Sequence, residues 1–152
     1  MMMIKQSTSI VINRPASEVF AVVTDVTRMG EWSPECTAAR WVAPASGPAM
    51  GATFEGDNVA SLGPITLKKW TTTSEISELV PDRVFEFIAE DITTWRYELV
   101  EQDGATTLTE SFSHAPFTGM QGFVYNTLVR RPQALMKGMH QTLAKMKQAI
   151  EA

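Results

Sequence analysis

Leu135, Met139, Leu143, Met146 and Ile150 recur at intervals of four, four, three and four, forming one apolar stripe along a helix. This stripe constrains the fold most, because the residues before it read as strands. From about Cys36 to His114 the hydrophobic period is two. Phe85 and Phe87 share one strand face, and Trp95, Tyr97 and Leu99 share a face of the next strand. Turn signals at PASGPAMG (44–51), SLGP (61–64), VPDR (80–83) and QDGA (102–105) punctuate the run. QDG predicts a hairpin and hence antiparallel neighbours. An antiparallel sheet needs one face covered, and the terminal helix is the only element large enough to do so. Pro132 must start, kink or interrupt that helix, since it has no N–H to donate.

Residues 7–13 (STSIVIN) predict a first strand. Pro15 suits the first turn of a helix, whose apolar stripe is Val19, Phe20, Val22, Val23 and Val26. Asp25 is placed to cap a second short helix, DVTRM, ended by Gly30. The order is therefore strand, short helices, about six strands and one long helix: an α+β domain spanning residues 1–152, with no repeat or linker.

Composition narrows the function. The chain has 152 residues, 44% hydrophobic and 20% charged, a globular balance. Its net charge of -4 lacks the basic footprint of a nucleic-acid binder. A single cysteine, Cys36, excludes an internal disulfide and a Cys-rich zinc site, and reads as a small packed residue. No segment approaches the roughly 20 apolar residues of a membrane span, and MMMIKQSTSI has no signal-peptide core. A cytoplasmic protein without integral membrane association is expected. Phosphate-loop, dinucleotide, hydrolase-elbow and zincin signatures do not occur. His114 and His140 lack metal-ligand spacing, so neither metal nor cofactor is expected. The cluster Arg130, Arg131, Lys137, Lys145 and Lys147 reads as the wet side of the helix, its later members suiting a helix C-terminus.

Two features call for more than a core. In RMGEWSPE (28–35), glycine and Ser-Pro mark irregular backbone, so Trp32 reads as a loop indole that must bury itself. Glu110 alternates with Leu108 and Phe112, so either that face meets solvent or a carboxylate points inward, needing a partner, water or a proton. Arg96 and Glu98 lie opposite Trp95 and Tyr97 and read as solvated. Nine Met, seven Phe and four Trp suit an adaptable pocket as well as a core.

IVINRPASEVFAVVTDVTRMGEWSP, GATFEG, WRYELVEQDGATTLTESF and LAKMKQAIE together resemble, in order, segments of the START-like (SRPBCC) superfamily of polyketide cyclase/dehydrase, lipid-transfer and plant-hormone-receptor-like proteins. The resemblance covers nearly the whole chain. It implies a helix-grip fold: a seven-stranded antiparallel sheet wrapped around a long C-terminal helix, two short helices closing one end, and a cavity for hydrophobic small molecules. Trp32 would face that cavity or its rim. ASLGPI (60–65) would stand where hormone-receptor-like members have a gating loop, and Glu110-Ser111-Phe112 would match their inward glutamate.

The expected ligand-binding residues are Trp32, Glu35, Phe54 and Leu62 from the first half, Phe87, Trp95 and Tyr97 from the middle strands, Glu110, Phe112 and His114 from the last strand, and Met136, Met139 and His140 from the helix. The expected function is binding or transport of a hydrophobic lipid, polyketide or aromatic compound. The alternative is a polyketide cyclase/dehydratase-type enzyme, with Glu110, Glu35, His114 and Tyr97 as candidates for proton transfer. A partner-regulating module is a third class. Sequence alone assigns no catalytic residue, and it leaves a homodimer open.

Overall fold

Alternating strands joined by short turns fold back on one another, and a computed structural model shows the result for residues 3–116, 119–120 and 131–152. The elements are β1 (Ile4–Ile12), α1 (Ala16–Val23), a 3-10 turn (Val26–Arg28), α2 (Met29–Trp32), β2 (Cys36–Trp41), β3 (Thr53–Leu62), β4 (Ile65–Val80), β5 (Val84–Ala89), β6 (Thr93–Gln102), β7 (Ala105–His114) and α3 (Arg131–Glu151). The strands form one seven-stranded sheet in the order β1-β7-β6-β5-β4-β3-β2, with every pairing antiparallel. β2 to β7 is thus a meander, and β1 joins it beside the last strand. This is the helix-grip α+β architecture expected from the sequence.

The predicted QDG hairpin joins β6 to β7, where Gln102 faces Ala105. Asp103 and Gly104 have φ of 54° and 79°, the positive pair that a type I′ turn requires. Pro132 lies in the first turn of α3, where its missing N–H is tolerated. Met139, Leu143 and Met146 are buried, with Leu135 and Ile150 half-buried, so the predicted stripe packs inward. It meets a core that includes Ile12, Val19, Val26, Phe85 and Leu108.

Several local expectations need correction. The first strand begins at Ile4, not Ser7, and ends before Asn13. Pro15 precedes α1 as its N-cap, because its ψ of 156° is extended, not helical. Asp25 does cap the next turn, accepting from Thr27 N at 3.2 Å. Gly30, however, lies inside α2 and ends nothing. It is there because a Cβ would stand 2.2 Å from Thr37 O on β2. Lys147 serves no helix terminus: its ammonium donates to Val11 O and Glu151 Oε2, both at 2.6 Å, tying α3 to β1. Lys137 and Lys145 are exposed, whereas Arg130 and the side chain of Arg131 lie outside the described residues.

On the outer face of the sheet, half-buried Arg96 is more than solvated. Its guanidinium donates to Glu78 at 2.7 Å, to Glu86 at 2.8 Å and to Glu98, joining β4, β5 and β6. These three hydrogen bonds hold its pKa well above the ordinary value. Arg96→Met would leave three neighbouring carboxylates without their shared cation. Such partly exposed pairs are individually weak, so the expected loss is about 1–2 kcal/mol. Urea unfolding should show the loss shrinking in 1 M salt, which screens the carboxylates; a salt-independent loss would assign it to packing instead.

Candidate functional site

The ladder registers assemble a band across the inner face of the sheet. Phe85 faces Tyr97, which faces Glu110; Phe87 faces Trp95, which faces Phe112. On the other side of β7, Gln6 of β1 faces Phe112, Thr8 faces Glu110 and Ile4 faces His114. Their rings pack in two runs. Trp41, Phe54, Phe87, Phe85 and Tyr97 make successive contacts with centroids 5.0–6.3 Å apart. Trp95 lies 5.4 Å from Phe112, which stacks on His114 at 6.0 Å and 7°.

Glu110 sits within this aromatic surface, only 4% exposed. The inward alternative is therefore the one the fold adopts. Tyr97 Oη donates to Glu110 Oε2 at 2.8 Å, whereas Glu110 Oε1 is buried with no hydrogen-bond partner among the described residues. Burial pushes the carboxyl up to about 8, and the Tyr97 hydrogen bond only partly opposes this. At neutral pH the group is therefore mainly a carboxylic acid. Tyr97 is held well above its ordinary pKa by burial and by Glu110, so it remains a phenol.

The other expected residues are distributed around this pair. His114 is 2% exposed, and its Nδ1–H donates to Ala115 O at 2.8 Å. Phe112 and Met139 are fully buried, Phe54 and Phe87 are core residues, and Trp95 and Met136 are half-buried. His140 is exposed, with Nδ1 hydrogen-bonded to Thr8 Oγ1 at 3.0 Å. The side chain of Leu62 lies outside the described residues. Glu35 is half-buried beside β2, which four strands separate from β7 in the sheet.

Trp32 is no loop residue. It ends α2, is 2% exposed within the core cluster, and carries the Arg28 guanidinium 5.0 Å from its ring centroid. ASLGPI is likewise not a loop: Leu62 pairs with Ile65, so only Gly63 and Pro64 form the turn. β5 pairs with β4 from Ser74 to Val80, and Thr73 bonds to Glu90 just beyond β5, which leaves Ile65–Thr72 paired to β3 alone.

The sequence reading missed Gln6. Its Oε1 is buried and has no partner among the described residues. Extending the alternation of Ile10 and Thr8 by one step reaches it, but it lies one residue outside the predicted strand, 7–13. Cys36 is buried, as expected of a packed residue, and burial raises its thiol pKa. Among the described residues no group of three His, Cys, Asp or Glu side chains is gathered as a metal site would need. An outer groove of about 700 Å³ lies beside the start of α1, lined by Asp82, Arg83, Glu98 and Glu101 among others. It is open and charged, without the apolar enclosure that a hydrophobic ligand needs.

Among curated proteins nothing matches the chain. Solved structures do. The Polyketide_cyc-like protein Cgl2372 from Corynebacterium glutamicum is 31% identical with a TM-score of 0.67, the alignment covering 99% of this chain and 93% of that one. The Zhui aromatase/cyclase from Streptomyces sp. R1128 shares the fold at 15% identity and a TM-score of 0.70, covering 99% and 94%. The di-domain ARO/CYC BexL from the BE-7585A biosynthetic pathway does so at 19% and 0.75, covering 99% of this chain and 50% of that one. The family model for polyketide cyclase / dehydrase and lipid transport matches residues 3–151, and the chain belongs to that family.

Proposed function

We propose that this protein binds and carries a hydrophobic small molecule, a lipid, polyketide or aromatic compound, between the inner face of the sheet and α3, with Glu110 as its polar anchor. One observation carries the reading: a carboxyl group is buried in an aromatic surface with one oxygen bonded to Tyr97 and the other without a partner among the described residues. Leaving a buried polar atom unpaired costs about 1–3 kcal/mol, which a ligand would recover. The family, and the aromatase/cyclase activity named for two relatives of the same fold, support a hydrophobic ligand. No helix among the described residues is long and apolar enough to cross a membrane. The cytoplasm is the proposed location.

A second reading has its own support. A carboxyl group kept protonated near neutral pH beside a tyrosine is suited to general-acid chemistry, as a cyclase or dehydratase would need. Native mass spectrometry of protein purified from its own host tests the first reading. A co-purifying small molecule of one mass is expected, retained by wild type and depleted in Glu110→Leu. Protein that carries no adduct, and takes up none from a panel of hydrophobic compounds, would count against carriage. Turnover of a bound polyketide analogue, lost in Glu110→Gln, would decide for the enzyme. Amide exchange gives a further check: binding should slow exchange in 60–72, the hairpin that lacks support from β5.

A further inference from the structure

The ligand-binding reading leaves the chemistry of the ligand open, and two unused oxygens on the inner face narrow it. Gln6 faces Phe112 and Thr8 faces Glu110, so Gln6 and Glu110 are diagonal neighbours across the β1–β7 ladder. Long side chains reach across such diagonals, roughly 7–8 Å between backbones. The polar groups around them are already engaged. Thr8 Oγ1 is bonded to His140, Tyr97 Oη donates to Glu110 Oε2, and His114 Nδ1 donates to the Ala115 carbonyl. What remains are Gln6 Oε1 and Glu110 Oε1, both buried and both without a partner among the described residues. Interiors rarely keep one such atom, and here two lie on one face from adjacent strands.

We propose that Gln6 and Glu110 form a subsite for the hydroxyl group of an uncharged ligand, a phenol, enol or alcohol on a hydrophobic body. The inference rests on the ligand-binding reading and adds Gln6 as a specificity-determining residue. Glu110 carries a proton at neutral pH, and because Oε2 accepts from Tyr97, that proton is best placed on Oε1. Oε1 then donates, while Gln6 Oε1 accepts. A hydroxyl is the single-atom group that meets both needs, accepting from one and donating to the other. An ether can only accept. A carboxylate has nothing to offer Gln6 Oε1, and among the described residues no cation bonds to Glu110 to neutralise it. An ammonium would have to drive the proton from Glu110. The competing arrangement is a Gln6 amide turned end for end, which would bury a donor in place of the acceptor and remove the preference for a hydroxyl.

Titration of the full chain at pH 6.5, followed by protein NMR, separates these cases with three probes: 2-naphthol, 2-methoxynaphthalene and 2-naphthylmethylammonium. Wild type should bind 2-naphthol about tenfold more tightly than the methyl ether, because a site built for a hydroxyl penalises the analogue that lacks one. The ammonium should bind more weakly than the naphthol. Gln6→Leu should bind the ether as wild type does, yet lose most of the preference for the naphthol. Gln6→Met, unbranched and of similar length, repeats the test should the leucine variant not fold. Equal affinities of wild type for naphthol and ether, preference for the ammonium, or a naphthol preference that survives loss of Gln6 would each overturn the subsite while leaving ligand binding intact. If none of the three probes binds wild type, the ligand-binding reading falls, and the subsite with it.

Discussion

Glu110→Gln is expected to be more stable than the parent protein at alkaline pH, and the difference should vanish in acid. The carboxyl has a folded-state pKa of about 8 against an ordinary 4.5. Below about pH 4.5 both folded and unfolded chains hold the proton, and ionisation contributes nothing. Between these values the unfolded chain releases its proton first, so stability falls as pH rises. Above about pH 8 the folded protein contains a buried carboxylate and the full penalty applies, on the order of 5 kcal/mol. Glutamine has the same shape, accepts the Tyr97 hydroxyl and does not ionise. Tyr97 itself remains neutral throughout this window, since burial and Glu110 push it up. Urea unfolding at pH 5 and pH 9 should therefore show the parent losing several kcal/mol more than the variant. Parallel pH profiles would mean that Glu110 ionises freely and is reached by water.

Gly30→Ala should have the other large effect, opposite in sign to what helix propensity gives. Alanine inside a helix is better than glycine by about 1 kcal/mol. At this position, however, the added Cβ would lie 2.2 Å from Thr37 O and 2.8 Å from Thr37 C. Both are backbone atoms of β2, so relief requires moving α2 away from the sheet, and Trp32 with it. A destabilisation of about 3 kcal/mol is expected from such overpacking. Thermal or urea unfolding measures it directly. A variant as stable as the parent would show that α2 rides loosely on β2.

Period and punctuation made most of the architecture legible. The terminal stripe, the QDG hairpin and the alternation placing Glu110 between Leu108 and Phe112 are all local signals that survive packing. What escaped were features that depend on contacts distant in sequence. Gly30 reads as a helix stop because glycine commonly is one; its actual reason is Thr37 on the neighbouring strand, which no local pattern displays. The same misreading made Trp32 a loop residue. The turn between β5 and β6 carries no glycine or proline, and Glu90 and Asp91 supply the positive φ instead. Gln6 was lost to a strand boundary placed three residues late. Glu110's inward direction was readable from alternation, but its partner was not: that Tyr97 stands opposite depends on the β6–β7 register.

The place of β1 in the sheet has a consequence for how the protein is made. Its neighbour in the sheet is β7, with Ile4 opposite His114, and Lys147 ties Val11 to α3. The β2–β7 meander can pair as each strand leaves the ribosome. At roughly 5–20 residues per second, β1 waits on the order of ten seconds for its partner. During that interval a run of Ile and Val on an open strand would invite association with other chains, and Gln6, Ser7, Thr8 and Ser9 interrupt it with polar groups. Two of these residues, Gln6 and Thr8, later lie on the inner face opposite Phe112 and Glu110, whereas Ser7 and Ser9 stay exposed. Gln6 comes to stand diagonal to Glu110 only once β1 has paired with β7, so the hydroxyl-selective affinity would arise late in folding.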